Sequence, residues 1–568
     1  MSCPGLTAPF QLSPLGFAAL PVSAPVLGGV ASVLLLVGVA AFAAVSRVRS
    51  ELAGRGAEGR AMVWASAGIA LAVLGRRLTL GSGQVSWCPF LDQWHAEVGG
   101  VLVPLARGTL SLGDLWAGNN EHRVFITRVL ALVVTLLNGG WDNRPLVVGN
   151  YLLESLMVGW VALLAWLSLG WIRGSYVAVA ALLPMALVCN WEVLVSSNQT
   201  QFVVMAVGTV FALSIVGGAT VRSGAAAGAL ALAVLMLGTM ASGLLTAAVL
   251  AATVTARAFV TRRWTPAAVG LAAACVVLAI AGWVTRVPFS ALEFLHARDL
   301  GQWTRAFLAY AAWPLPPGPG GVALLWIPWG VLLARTRRGL EAPALAPFAL
   351  GLGLWALLQS AALAWSRCGL SGLVSTRYTE FVGLGVLANA AALAVLFQPR
   401  HAGTRPRRSG WGVMALWLAV LGGAEARESA RTYQPYLEAF HAHALGHERR
   451  LAEFVRTGDA APIEAARFPD IPYWAPDILA ALRDPGTDAL LPAALRPGPG
   501  PEGPLTRLAV GALKVGPGLA AAGAVLMAGA FFGWLFGSEP VTPRRRRASP
   551  GVPAVRGTSR EFSLPPRA

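Results

Sequence analysis

The chain has 568 residues, 56% of them hydrophobic and only 12% charged, with a mean hydropathy of +0.61. Soluble globular chains carry about 25% charged residues, so this one lacks the polar surface to remain in water. Disorder, collagen, coiled coil and a disulfide scaffold built on five Cys are excluded with it, and the net charge of +17 comes with a single Lys (Lys514) and no basic stripe interleaved with aromatic or polar readers, which argues against nucleic acid.

What remains is an all-α polytopic membrane protein. A spanning helix needs about 20 mostly apolar residues. The sequence predicts about thirteen: 26–46, 61–80, 146–170, 175–189, 202–220, 224–238, 243–260, 266–284, 321–335, 342–364, 380–397, 410–424 and 515–536. Segment 124–137 is only fourteen residues long and contains Arg128, so it is expected to lie in the interface rather than cross.

Arg residues fall on alternate loops: Arg47 to Arg60, Arg173, Arg222, Arg257 to Arg263, Arg335 to Arg338, Arg400 to Arg408 and Arg544 to Arg547. The positive-inside rule makes that side cytoplasmic. The N-terminus is then outside and the C-terminus inside a bacterial inner membrane. Arg76 and Arg77, near the outer end of the second span, break the pattern and are expected to snorkel to the interface.

The organisation predicted is an N-terminal helix and cytoplasmic loop (1–60), a transmembrane core (61–424) with a large first periplasmic loop (81–145), a small, mostly helical periplasmic cap (425–507), a last transmembrane helix (508–536) and a disordered basic cytoplasmic tail (537–568). The cap holds 12 of the 27 acidic residues and three of the seven His, and its prolines mark turns. His443 and His447 have an i,i+4 ligand spacing, but no third ligand is evident beside His441, so no zinc site is expected.

Polar clusters collect on the outer side. The first loop reads Trp87-Cys88-Pro89-Phe90-Leu91-Asp92-Gln93-Trp94-His95, and a helix from Asp92 would put Asp92, His95 and Ala96 on one face. Asp92 is either a solvated helix-start acid beside interfacial Trp or a general base. Trp87, Phe90 and Trp94 would exclude water there. Farther on, Asn119-Asn120-Glu121-His122-Arg123 precedes the interfacial helix; Asn120 would cap it and Glu121 favour its positive end, leaving His122 and Arg123 for other work. Two more outer clusters are Asn190-Trp191-Glu192 with Asn198-Gln199-Thr200-Gln201, and Ser366-Arg367-Cys368 with Ser375-Thr376-Arg377-Tyr378. Forked guanidinium groups suit phosphate. Cys88 and Cys368 both lie outside, where they either pair or remain thiols. There is no phosphate loop, zinc spacing, nucleophile elbow or dinucleotide fingerprint.

An acid just after an early span, then Pro104-Leu105-Ala106-Arg107-Gly108, then Asn120-Glu121-His122-Arg123 leading into an interfacial helix, resembles the GT-C superfamily of polytopic glycosyltransferases. The chain is similar to uncharacterised bacterial proteins of its mannosyltransferase and lipid A glycosyltransferase-like branch, in which an Asp-Gln-Trp or Asp-Asp-Trp setting recurs; here it is Asp92-Gln93-Trp94. The likeness covers roughly residues 61–400. It implies a polyprenyl-phosphate sugar donor, a glycan, lipid or protein acceptor, and Asp92 as the base that deprotonates the acceptor hydroxyl. Arg377, Arg367 or Arg123 would hold the donor phosphate. Gln93, Trp94, His95, Asn120, Glu121, His122, Glu192, Gln199 and Tyr378 would line the substrates. Many members carry paired acids in the first loop; this chain has Asp-Gln, which fixes no cofactor and allows a divalent metal, with the lone carboxylate still able to serve as base. Two rivals remain. A polysaccharide polymerase or ligase would depend on Arg and His and dispense with Asp92. A non-enzymatic glycolipid transporter would carry inverted repeats, which the sequence lacks.

Overall fold

The computed structural model describes residues 22–218, 220–288, 291–337, 345–370, 374–398, 408–466, 475–484, 486–496 and 501–537. The predicted tail from 538 onward and the earliest residues lie outside them. The elements are helical throughout, with no strand among the described residues. In chain order the main helices are α1 (Ala24–Leu52), α2 (Gly56–Gly81), α3 (Phe125–Asn138), α4 (Asn143–Leu169), α5 (Trp171–Ala186), α6 (Thr200–Val216), α7 (Ser223–Leu237), α8 (Leu244–Thr261), α9 (Pro266–Val284), α10 (Leu300–Ala312), α11 (Pro319–Arg337), α12 (Leu345–Ser366), α13 (Thr376–Leu396), α14 (Arg408–Glu428), α15 (Gln434–Thr457), α16 (Ala475–Leu482) and α17 (Pro504–Gly537). Among the described residues nine are long and apolar enough to cross a membrane: α1, α2, α4, α6, α8, α9, α12, α13 and α17.

Four expected spans differ. Segments 175–189 and 224–238 fall on α5 and α7, which are short, while α11 and α14 miss the apolar average of a typical span. The reason is local. Pro184 sits in α5 and Pro328 in α11, and α14 ends in the charged run Glu425-Ala426-Arg427-Glu428.

Why the bundle closes is clearest at α2 and α17. Gly68 and Gly75 face Gly523 and Gly516 so closely that a Cβ on Gly75 would lie 2.2 Å from the Ala520 backbone nitrogen, and one on Gly523 would lie 2.4 Å from that of Ala72. Backbones in such contact gain dispersion that larger residues would forbid. At its start α17 is tied down by Asn138, whose Nδ2 donates to Thr506 Oγ1 at 2.9 Å.

The large first loop is ordered. It contains a wide-turned π-helix at Trp94–Leu102, short helices at Val103–Ala106 and Leu112–Trp116, and then α3. The start of α3 differs from expectation: Asn119 and His122 pair their backbones, Asn120 takes a left-handed turn (φ 51°), and the cap position falls on Val124. Arg128 of α3 is buried and donates from Nε to Ala96 O at 2.8 Å and from Nη1 to Asp114 O at 3.1 Å, so it fastens the loop rather than meeting the interface.

The segment 429–496 packs on this loop. Its core joins Leu451, Phe454, Ile463, Ile478 and Leu482 to Trp94, Val98, Leu102 and Trp141. Phe90 packs edge-on against Phe440, with ring centroids 4.4 Å apart, and Trp94 Nε1 donates to His447 Nε2 at 3.4 Å.

Candidate active site

The helix ends at 81, 125, 143, 186, 244, 366 and 376 open toward the same end of the bundle, and the polar clusters meet there. His122 stands within electrostatic reach of both the Asp92 carboxylate and the Arg377 guanidinium. Its Nε2 lies 3.5 Å from Glu121 Oε1, the same oxygen that pairs with Arg367 Nη2. The Ala241 amide points at His122 Nδ1, 3.4 Å away. Burial, partly offset by Asp92 and reinforced by Arg377, lowers the His122 pKa to about 4, so the imidazole is neutral at pH 7. Glu121 Oε2 is buried with no partner among the described residues.

A second carboxylate shapes the other wall. Glu192 Oε2 accepts from Thr376 Oγ1 at 2.7 Å, from the Arg377 amide at 2.9 Å and from Ser375 Oγ at 3.2 Å, while Oε1 lies 3.5 Å from Arg377 Nη2. Thus Glu192 both caps α13 and aims Arg377. Tyr378 is buried between Phe202 and Tyr310, with centroids 6.0 and 6.3 Å away, under the Arg377 guanidinium.

Three carboxylates (Asp92, Glu121 and Glu192), a neutral imidazole, Arg367 and Arg377 therefore surround one region. Such a set can bind an anion between guanidinium groups and accept a proton at Asp92 beside it. Asp92 itself is half-buried, and its carbonyl accepts from Ala96 N at 2.7 Å; Leu91 before it is left-handed (φ 51°). His95 is exposed next to it.

Other sequence-selected residues are held by contacts of their own. Gln93 is fully buried: its Oε1 accepts from Phe90 N at 2.8 Å, and its Nε2 donates to Ser197 Oγ at 2.6 Å and Asn143 Oδ1 at 3.1 Å. Trp94 is buried against the cap, and Phe90 with it, so neither presents a face for stacking. Arg123 spends its guanidinium on the carbonyls of Trp116 (3.1 Å) and Thr285 (2.9 Å). Arg367 has one nitrogen on its own helix end, at Ser366 O, and one on Glu121. Gln199 is buried, and its Oε1, like Asn198 Oδ1, Thr200 Oγ1 and Gln201 Oε1, has no partner among the described residues. Cys88 is a buried thiol bonded to Ser86, and Cys368 Sγ donates to Gln302 O at 3.6 Å. Among the described residues no three His, Cys, Asp or Glu gather as a metal site.

Sequence reading missed three residues. Glu97 is buried, with Oε2 accepting from Trp141 Nε1 at 2.8 Å and Oε1 from Ser197 Oγ at 3.1 Å; desolvation, partly offset by these bonds, raises its pKa to about 7. Asn143 joins four groups from three segments: Gln93, Ser86 O, Val195 O and Ser197 N. Arg77, expected to snorkel, is fully buried in a bidentate pair with Glu154. Only the isolated acid at 154, inside an apolar run, signalled that a cation had to join it. No protein-family model and no curated protein matches this chain.

Proposed function

We propose that the chain is an integral membrane glycosyltransferase of the GT-C kind, transferring a sugar from a polyprenyl-phosphate donor to a glycan, lipid or protein acceptor on the periplasmic side of the inner membrane. The observation that carries this reading is the meeting of Asp92, His122 and Arg377 at one end of the bundle, from segments far apart in sequence. Asp92 takes the acceptor hydroxyl's proton as the oxygen attacks the anomeric carbon, and polyprenyl phosphate departs with the bonding electrons. Arg377, with Arg367 behind it, neutralises the departing phosphate. Neutral His122 and the free oxygen of Glu121 orient sugar hydroxyls. In this reading α5, α7, α11 and α14 complete thirteen crossings, and the polar end faces the periplasm.

Transfer from a radiolabelled polyprenyl-phosphate sugar in membranes tests the chemistry. Asp92→Asn is expected to abolish it with normal membrane insertion. Near wild-type turnover in that variant overturns the mechanism and favours the polymerase or ligase. Orientation is checked by single-Cys labelling at the exposed position 109, in a background lacking native Cys, with an impermeant maleimide in spheroplasts, where protection contradicts the periplasmic placement.

A further inference from the structure

Below the site, inside the apolar part of the bundle, lies a cluster that the transfer reaction does not use. Arg77 of α2 donates from Nε and Nη2 to the two oxygens of Glu154 on α4, each at 2.7 Å, and from Nη1 to Asn190 Oδ1 at 2.7 Å. Asn190 Nδ2 returns to Glu154 Oε1 at 3.0 Å and also donates to Glu380 Oε1 of α13. Arg77 and Glu154 have no exposed surface, and Asn190 and Glu380 are buried. The Glu380 carboxyl is also in hydrogen-bonding reach of the Glu154 carboxyl.

The charges do not balance. One guanidinium, bonded to Glu154 and Asn190, faces two carboxyls, and among the described residues no ion pair joins a cation to Glu380. Glu380 also borders an apolar groove between α4, α5 and α13, walled by Val158, Val161, Ala181, Met185, Gly383 and Leu387, where it is the sole ionisable group. An uncompensated carboxylate in such surroundings costs several kcal/mol. Neighbouring helices offer no relief. Packed on α13, α6 and α12 carry no ionisable residue. Around it stand Tyr151 of α4, Cys189 and the acids Glu425 and Glu428 of α14, none of them cationic; Arg377 lies one turn away and is engaged by Glu192.

We infer that the Arg77–Glu154–Asn190–Glu380 cluster is a proton-binding site within the membrane, in which one proton is held between the two glutamates. A proton fits where a metal cation does not, because Glu154 has both oxygens committed to Arg77. The site is mechanically joined to the outer one. Asn190 leads into the turn whose Glu192 grips Thr376 and Arg377, and Thr379 Oγ1 donates to Cys189 O at 3.1 Å. Removing the proton sets two carboxylates against each other across Asn190 and loosens that grip.

The test uses the full-length protein in lipid nanodiscs. Infrared spectra at neutral pH should show a protonated-carboxyl band that Glu380→Gln diminishes. Glu154→Gln should diminish it as well, because Arg77 then pairs with Glu380 and ionises it. Glu425→Gln and Glu97→Gln, the controls for other buried acids, should leave that component in place. Hydrogen exchange of the 374–381 amides should accelerate at alkaline pH beyond its intrinsic pH dependence in the wild type, but not in Glu380→Gln. An unchanged band in whichever of the two Gln variants inserts, or the same alkaline acceleration in Glu380→Gln, overturns the proposal.

Discussion

In the proposed mechanism Asp92 acts as base and Arg377 as phosphate partner, and substitution should separate the two roles. Asp92→Asn keeps shape and removes basicity, and loss of a general base typically costs about 10²–10⁴ in rate. Turnover should fall by that factor with little change in KM. Arg377→Ala removes a phosphate partner and should mainly raise the apparent KM for the donor; Arg377→Lys should recover part of the affinity, since the point charge survives and the fork does not. Initial rates over a range of donor concentrations distinguish the two. Glu97 gives a prediction of another kind. Its folded pKa is raised from 4.5 to about 7 by burial, so the stability it contributes is complete below about pH 4.5 and is lost as pH rises through 7. Glu97→Gln keeps an acceptor for Trp141, so thermal melting of this variant should flatten between pH 5 and 8. Above pH 7 it should exceed the wild type by an amount on the order of 3 kcal/mol, taking about 1.36 kcal/mol per pH unit. A wild-type melting curve that does not decline over this range contradicts the assignment. These residues also mark what sequence discloses. Asp92, Glu121, Glu192, Arg367 and Arg377 were legible because an acid or cation in a short polar loop between apolar runs has few other reasons to be there. Gln93 and Trp94 were not distinguishable from Asp92, because their burial depends on Asn143, Ser197 and His447, which come from other segments.

At the scale of elements, the apolar runs located α1, α2, α4, α6, α8, α9, α12 and α13 within about six residues at either end, and the body of α17, whose first eleven residues they missed, because spans in lipid must satisfy their backbones internally and so leave long apolar runs. The π-helix at 94–102 and the turn at 119–122 were hidden, since both are set by packing rather than by local preference. The cap was readable as mostly helical, but its docking partner was not. Docking rests on His447, wedged between Phe90 and Trp94, with Glu448 accepting from Ser86 Oγ at 2.6 Å. Burial, reinforced by Arg450, lowers the His447 pKa from 6.5 to about 3. A depressed base stabilises the docked state above about pH 6.5, and that contribution is lost as pH falls toward 3. Limited proteolysis of the 429–496 segment should therefore quicken in acid. His447→Leu should remove most of this acid response while leaving the neutral-pH rate within a few-fold; an equally acid-sensitive His447→Leu would place the trigger elsewhere.

Across the whole molecule, the first loop, the cap and α17 depend on one another. α17 exposes most of its length and meets α2 through a seam of small residues, while its first turn is held by Asn138 and its lead-in by an Arg144–Glu502 pair at 2.8 Å. α2 in turn carries Arg77 and ends one short loop before Asp92. Prising α2 from α17 should therefore disturb the site at a distance. At Gly75 a Cβ would meet backbone atoms rather than a flexible side chain, so the helices must separate to admit one. Gly270 on α9 is a fitting control, because a Cβ there meets nothing within 4 Å. Gly75→Val is expected to lower the melting temperature of the purified protein and to weaken a cysteine crosslink engineered between α2 and α17. Gly270→Val should leave melting nearly unchanged, since valine is well tolerated in a lipid-facing helix. If Gly75→Val melts and crosslinks as the wild type does, α17 is held by its ends alone, and the seam is coincidental proximity. If it melts early and loses crosslinking, the last span is an integral wall of the bundle that carries the site, even though no residue of α17 reaches Asp92 or Arg377 in any described contact.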